Sequence, residues 1–213
     1  MGGIRWLVDV ALHLDKHLND WAGMLGGWLY LVLFLVVFCE TGLVVTPFLP
    51  GDSLLFAVGA LCAIDGSPLS IWLMIAVLIT AAVLGDGANY LIGSFLGPKV
   101  FRSGSSRLLN REHLLRTQAF YDKYGAKTIF LARFVPIVRT FAPFVAGIGK
   151  MSYGQFAAWN VTGGIVWVTL LSLSGYWFGR IPIVQRNFET VILGIIVLSI
   201  MPMVVEWWRA RRE

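Results

Sequence analysis

Histidine, cysteine and acidic residues are all scarce in this chain, and each shortage removes a class of function. Three histidines, two cysteines and twelve acidic residues stand among 213. His13 and His17 have the spacing of a metal pair, but no third strong ligand motif joins them, so a solvated helix face is expected and no metal site. Cys39 and Cys62 lie in apolar runs, where buried thiols rather than a disulfide are expected. There is no Gly-x-Ser-x-Gly elbow, no histidine-rich metal motif and no carboxylate cluster dense enough for two metals. An enzyme would lack its nucleophile or metal, so none is expected, and no cofactor. A basic region followed by an apolar run and a small-residue cleavage site is also missing at the N-terminus, so no removable signal peptide is expected. No Ser/Gly/Pro-rich linker divides the chain, and 1–213 reads as a single domain.

What the chain has in abundance is apolar surface. Hydrophobic residues make up 57%, charged residues 14%, and the mean hydropathy is +0.74. Those values lie far outside a soluble domain and point to a bilayer as solvent. The net charge of +5 does not imply nucleic acid, because its distribution is that of the positive-inside rule. Lys99, Arg102, Arg107, Arg111, Arg116, Lys123 and Lys127 crowd one polar segment, and Arg209, Arg211 and Arg212 end the chain. Both basic regions flank apolar segments and suit anionic lipid headgroups.

Residues 4–21 read as an amphipathic surface helix, with Leu7, Val10, Ala11, Leu14, Leu18 and Trp21 at three- and four-residue steps. Segments 71–96, 156–179 and 190–208 each approach or exceed the ~20 residues that cross a bilayer, and are expected as spans. Gly93-x-x-x-Gly97 and Gly175-x-x-x-Gly179 have helix-contact spacing and are expected as packing surfaces. Regions 24–62 and 127–149 differ, since each carries two prolines and two ionised groups in its middle. Pro47, Pro50 and Gly51 in the first, and Pro136, Pro143 and Gly147 in the second, are the expected breaks of two re-entrant hairpins folded towards protein or water. If the basic segment 98–126 and the arginine-rich end are both cytoplasmic, two spans separate 127–149 from that end. The hairpin then enters and leaves on the cytoplasmic side, and the Pro47/Pro50 element dips from the opposite face.

An offset of 86 residues supports a repeat. Phe48-Leu49-Pro50 falls on Phe134-Val135-Pro136, and Tyr90-Leu91-Ile92-Gly93 on Tyr176-Trp177-Phe178-Gly179. The expected architecture is an all-α membrane protein with an inverted repeat of two re-entrant hairpins, each followed by transmembrane helices.

Glu40, Asp52, Arg133 and Arg139 sit in these apolar regions, and each unpaired charge near the bilayer centre costs roughly 2.5–3.5 kcal/mol. They must therefore have partners. Structural ion pairs between hairpins are one reading. The other is an anion site, with Arg133 and Arg139 holding a phosphate through paired charge-assisted hydrogen bonds and Glu40 and Asp52 carrying protons. Gly51 and the half-helix starting at Asp52–Ser53 add backbone N–H groups to that reading, although Asp52 also suits a cap. Asp86, in Gly85-Asp86-Gly87-Ala88-Asn89-Tyr90, is divided between a packing hydrogen bond and proton coupling. A proton-coupled exporter of small cations and a non-transporting structural role are the remaining readings, and two arginines in one site argue against the exporter.

The run Phe130-Leu131-Ala132-Arg133-Phe134-Val135-Pro136-Ile137-Val138-Arg139-Thr140-Phe141-Ala142-Pro143-Phe144-Val145-Ala146-Gly147 resembles the signature of the DedA membrane proteins, also called the SNARE-associated or VTT-domain family. Glu40 and Pro47-Phe48-Leu49-Pro50-Gly51-Asp52 resemble that family's first hairpin, and the likeness covers roughly residues 25–205. The resemblance implies a multi-pass protein of a bacterial inner membrane. It implies movement of lipids, undecaprenyl phosphate or phospholipids, between leaflets as a flippase or scramblase linked to the proton motive force. It also carries functional roles onto Glu40, Asp52, Arg133 and Arg139. Membrane lipids and protons are the expected partners, nucleic acid is not, and self-association is left open.

Overall fold

The structure, a computed structural model, describes residues 27–43, 51–100, 121, 123–186 and 194, with the backbone alone for 96–100, 136, 137 and 186. The expected surface helix 4–21, the Pro47 and Pro50 break, most of the basic segment 98–126 and the expected span 190–208 lie outside the described residues. Among the described residues there are helices and no strands. In order they are α1 (Gly27–Gly42), α2 (Gly51–Cys62), α3 (Ile71–Val100), a 3₁₀ turn (Gly125–Lys127), α4 (Thr128–Ala132), α5 (Pro136–Ile148), α6 (Tyr153–Gly179) and α7 (Pro182–Arg186).

Two helices are long and apolar enough to cross a membrane, Ile71–Phe95 of α3 and Tyr153–Gly179 of α6. At ~1.5 Å per residue each exceeds the ~30 Å of a hydrocarbon core. α3 shows the polarity expected of a bilayer-embedded helix. Its outward side exposes Trp72, Leu73, Leu84, Leu91 and Phe95, while Asp86 and Asn89 are turned inward and buried. Water would favour the reverse distribution. The start of α3 is held by Tyr30, whose Oη accepts from Ser70 N at 2.9 Å and so covers an orphan N–H beside the helix terminus.

The chain divides into two compact units, one of Met1–Val32, Pro50–Ile75 and Leu170–Glu213, the other of Leu33–Leu49 and Ala76–Thr169. In the first, α2 lies against the end of α6 through Gly59, Gly175 and Gly179. A Cβ on Gly59 or Gly175 would collide with the backbone of Ser172 or Phe56, and one on Gly179 would come within 2.9 Å of Ala60. In the second, α5 lies against α3 through Gly93 and Gly147, where a Cβ would collide with the backbone of Phe144 or Tyr90. Both units thus seat a shorter helix on a long helix from the other half of the sequence, by removing side chains at the contact. Gly93 and Gly179 stand at the offset of 86 residues seen in the sequence, as do the helix ends Cys62 and Ile148.

Region 127–149 is a helix, a turn and a helix. Arg133 N, Phe134 N and Val135 N donate to the carbonyls three residues back, which tightens the end of α4. Val135 then turns extended, φ −120° and ψ 105°, because the ring of Pro136 disfavours helical backbone at the preceding residue. Pro136 opens α5 at a position where its missing N–H costs nothing.

Two expected breaks are corrected. Pro143 and Gly147 both lie inside α5, which runs unbroken from Pro136 to Ile148. Pro143 removes one N–H, but the surrounding segment Phe141–Ala146 is buried, and side-chain donors reach the nearby carbonyls of Thr140 and Ala142. Asn89 Nδ2 donates to Thr140 O at 2.9 Å, and Tyr121 Oη to Ala142 O at 2.9 Å. Neighbours that supply hydrogen bonds make proline tolerable within membrane helices. Gly147 is there for close approach to α3 rather than for chain reversal. Gly51 begins α2 as expected.

Candidate functional site

The charged residues that an apolar chain should not leave alone come together in the second unit. Glu40 ends the buried stripe Leu33, Val37, Glu40 of α1, whose spacing puts all three on one face. Asp86 lies midway along α3, Arg133 at the end of α4 and Arg139 in the first turns of α5. On a continuous helix Arg133 and Arg139 would point to different sides. The extended backbone at Val135 re-aims α5, and both guanidinium groups face one small cavity lined by Glu40, Thr41, Asp86, Arg133, Arg139, Thr140 and Trp167.

Each arginine is engaged with a carboxylate. Arg133 Nη2 donates to Asp86 Oδ2 at 2.6 Å, and Arg139 Nη2 to Glu40 Oε1 at 2.8 Å. The pairs are deeply buried: side-chain exposure is 5% for Arg133, 7% for Asp86 and 5% for Glu40, against 17% for Arg139. Water is largely excluded, so each charge depends on its partner. Trp167 is near both cations, its ring centroid 5.7 Å from Arg133 Cζ and 5.9 Å from Arg139 Cζ. Its π-face offsets part of the repulsion between the arginines.

Several polar side chains complete the site. Asn160 Oδ1 accepts from Arg133 Nη2 at 2.6 Å. Asn89 Nδ2 donates to Thr41 O at 3.2 Å and Thr140 O at 2.9 Å, the carbonyls that directly follow Glu40 and Arg139 in sequence. It therefore ties together the backbones that carry one of the ion pairs. Arg133 Nε and Asn89 Oδ1 are buried without a hydrogen-bond partner among the described residues. The cavity has a volume of about 20 Å³. A water needs on the order of 10–15 Å³ of such space, so the cavity has room for about one water and not for a phosphate group. In this arrangement Nη2 of each arginine is occupied by a carboxylate.

Of the sequence candidates, Glu40, Asp86, Arg133 and Arg139 converge. Asp52 does not line this cavity; it lies in the first turn of α2, in the other unit. Asp86, and not Asp52, is the second acid paired with an arginine in this cavity. Asn89, Asn160 and Trp167 were not singled out from the sequence, although an amide inside an apolar span is a signal for interhelical hydrogen bonding. Among the described residues no group of three or more His, Cys, Asp or Glu could hold a metal ion.

An all-helical chain with paired charges buried between apolar helices belongs to the membrane-embedded class. The VTT domain family model matches residues 49–177. Protein DedA of Escherichia coli (strain K12) is 53% identical over 209 residues, covering 98% of this chain and 95% of that protein. Uncharacterized membrane protein Rv0364 of Mycobacterium tuberculosis (strain ATCC 25618 / H37Rv) is 40% identical over 194 residues, 90% of this chain and 85% of that one. Inner membrane protein YghB of Escherichia coli (strain K12) is 33% identical over 198 residues, 92% and 85%. No solved structure matches the chain. The chain belongs to the DedA family of VTT-domain membrane proteins.

Proposed function

We propose that this protein is a lipid translocase of a bacterial inner membrane, which moves an anionic lipid phosphate, undecaprenyl phosphate or a phospholipid, between leaflets with proton coupling. The observation that carries this reading is the small cavity in which a buried and a partly buried arginine are each occupied by a carboxylate. Two guanidinium forks are suited to one phosphate, and a carboxylate that takes up a proton releases the arginine it held. Proton and lipid phosphate then bind together, because protonation opens the place that the anion fills. The protein acts without catalytic chemistry, as a multi-pass carrier. The break at Val135–Pro136 and the start of α2 at Gly51, with the offset of 86 residues, support two re-entrant hairpins arranged as an inverted repeat, whose binding site lies where broken helices meet.

The test is reconstitution. Purified protein in vesicles carrying a fluorescent polyprenyl phosphate or phospholipid should move the probe between leaflets, faster under an imposed pH gradient. No movement of either lipid above protein-free vesicles defeats the reading. A rate indifferent to pH and to the gradient replaces coupling with passive scrambling.

A further inference from the structure

Asn160, Gly163, Gly164 and Trp167 of α6 recur at steps of three and four, and so share one face of that helix. All four meet the same side chain. Asn160 Oδ1 accepts from Arg133 Nη2 at 2.6 Å. A Cβ on Gly163 would stand 3.1 Å from Arg133 Cδ and Nε, and one on Gly164 3.5 Å from Nη2. The Trp167 ring centroid is 5.7 Å from Cζ. The two glycines thus leave the groove in which the arginine lies, with the amide at one end and the indole at the other. The amide is itself fixed. Its Nδ2 donates to Val83 O at 3.0 Å, and because arginine offers no acceptor, the oxygen must face Arg133.

We propose that this face of α6 is a permanent seat for Arg133, in which Asn160 is a positioning residue that holds the guanidinium whether or not Asp86 is charged. The inference deepens the transport reading and rests on it for its consequence. A carboxamide does not titrate in the range where carboxylates do. When Asp86 takes a proton, its hold on Nη2 weakens while that of Asn160 persists. Arg133 then stays aimed into the cavity, with its charge no longer offset and available to an incoming anion. The charged and titratable groups around Asp86 are Arg133, Arg139 and Glu40, with the Tyr121 phenol also within electrostatic reach. None of them performs this role, because each either titrates or repels Arg133, or is itself a cation.

The experiment reads Arg133 directly. Full-length protein labelled with ¹⁵N-arginine is prepared as wild type, Asp86→Asn, Asn160→Ala and the double variant, with Arg133 assigned by the signal lost in Arg133→Lys. Asp86→Asn mimics the protonated acid. Its Arg133 side-chain N–H groups should keep slow exchange with water, and adding Asn160→Ala should speed that exchange about ten- to a hundredfold, the worth of one charge-assisted hydrogen bond. A double variant that no longer folds while Asp86→Asn does also supports the seat, since only the amide then separates the two proteins. The proposal is overturned if Asp86→Asn alone fails to fold or frees Arg133, or if Asn160→Ala leaves exchange unchanged in the Asp86→Asn background. The same wild-type protein in vesicles with fluorescent polyprenyl phosphate separates the two ideas: absent lipid movement defeats the transport reading, while the arginine spectra still decide the seat.

Discussion

Removing both members of the Arg133–Asp86 pair should harm the fold far less than removing either one. Arg133 and Asp86 are 5% and 7% exposed and 2.6 Å apart. Replacing one of two such partners strands a buried charge, at a cost of about 3–5 kcal/mol. Arg133→Met and Asp86→Leu would therefore each lower stability by that amount, and simple addition would give roughly 6–10 kcal/mol. The double variant leaves no ionised group behind. What it leaves is Asn160 Oδ1 without its donor, an unsatisfied acceptor worth about 1–3 kcal/mol. The methionine stem still fits the groove beside Gly163 and Gly164. A four-member cycle, read by denaturant and thermal unfolding of the purified proteins in detergent, should show a coupling of roughly 5 kcal/mol. Lipid movement should be lost in Arg133→Met and in the folded double variant, because both lack the proposed anion-binding group. A double variant as unstable as the sum of its singles refutes the argument that the pair exists to neutralise itself. A stable double variant that still transports returns Arg133 to a purely structural role.

Arg139→Lys keeps the charge but loses the planar fork, and each lost charged hydrogen bond is worth about 1.5–3 kcal/mol. Lipid transport by that variant should fall roughly 10- to 100-fold in a protein that still purifies folded, as read in the vesicle assay. Glu40→Gln should abolish the response of transport to an imposed pH gradient, because the side chain facing Arg139 at 2.8 Å can no longer exchange a proton; a preserved response in Glu40→Gln vesicles contradicts it. Gly147→Ala should prevent α5 from seating on α3, since its Cβ meets the Tyr90 carbonyl. Gly87→Ala, with nothing within 4 Å, should be neutral or stabilising by up to about 1 kcal/mol, and melting temperatures of the two compare them directly.

The charges were legible in the sequence because a bilayer makes them expensive. An Arg in a run such as Phe130–Gly147 cannot be ignored, and the need for a partner follows from solvation alone. Which acid partners which arginine did not follow. Asp52 and Asp86 are both acids in apolar surroundings, and only the course of the chain decides between them. Asp86 shares with Asn89 the inward side of α3, where the end of α4 brings Arg133. The first break of 127–149 was legible in Pro136, since a proline restricts the residue before it by local sterics. Pro143 misled because its cost depends on whether neighbours donate to the flanking carbonyls, and Asn89 and Tyr121 come from 54 and 22 residues away in sequence. Asn160 was silent for the same reason. A lone amide in a span is compatible with many partners, and its value appears only when Val83 and Arg133 fix its two ends.

The two ion pairs differ in a way that assigns them different tasks. Arg133 is 5% exposed, and Nη2 reaches both an acid and an amide. Arg139 is 17% exposed, and its contact with Glu40 is the longer of the two, 2.8 Å against 2.6 Å. A partly exposed cation is the one that water or a lipid headgroup reaches first, and solvent there weakens its hold on the carboxylate. On the proposed transport reading, the Glu40–Arg139 pair is the outer contact that an anion displaces, and Arg133 the inner one on which it comes to rest. On that order of events, Glu40→Gln should disturb entry and proton response while Arg133→Lys disturbs retention, a difference visible as a changed on-rate in the first and a changed off-rate in the second.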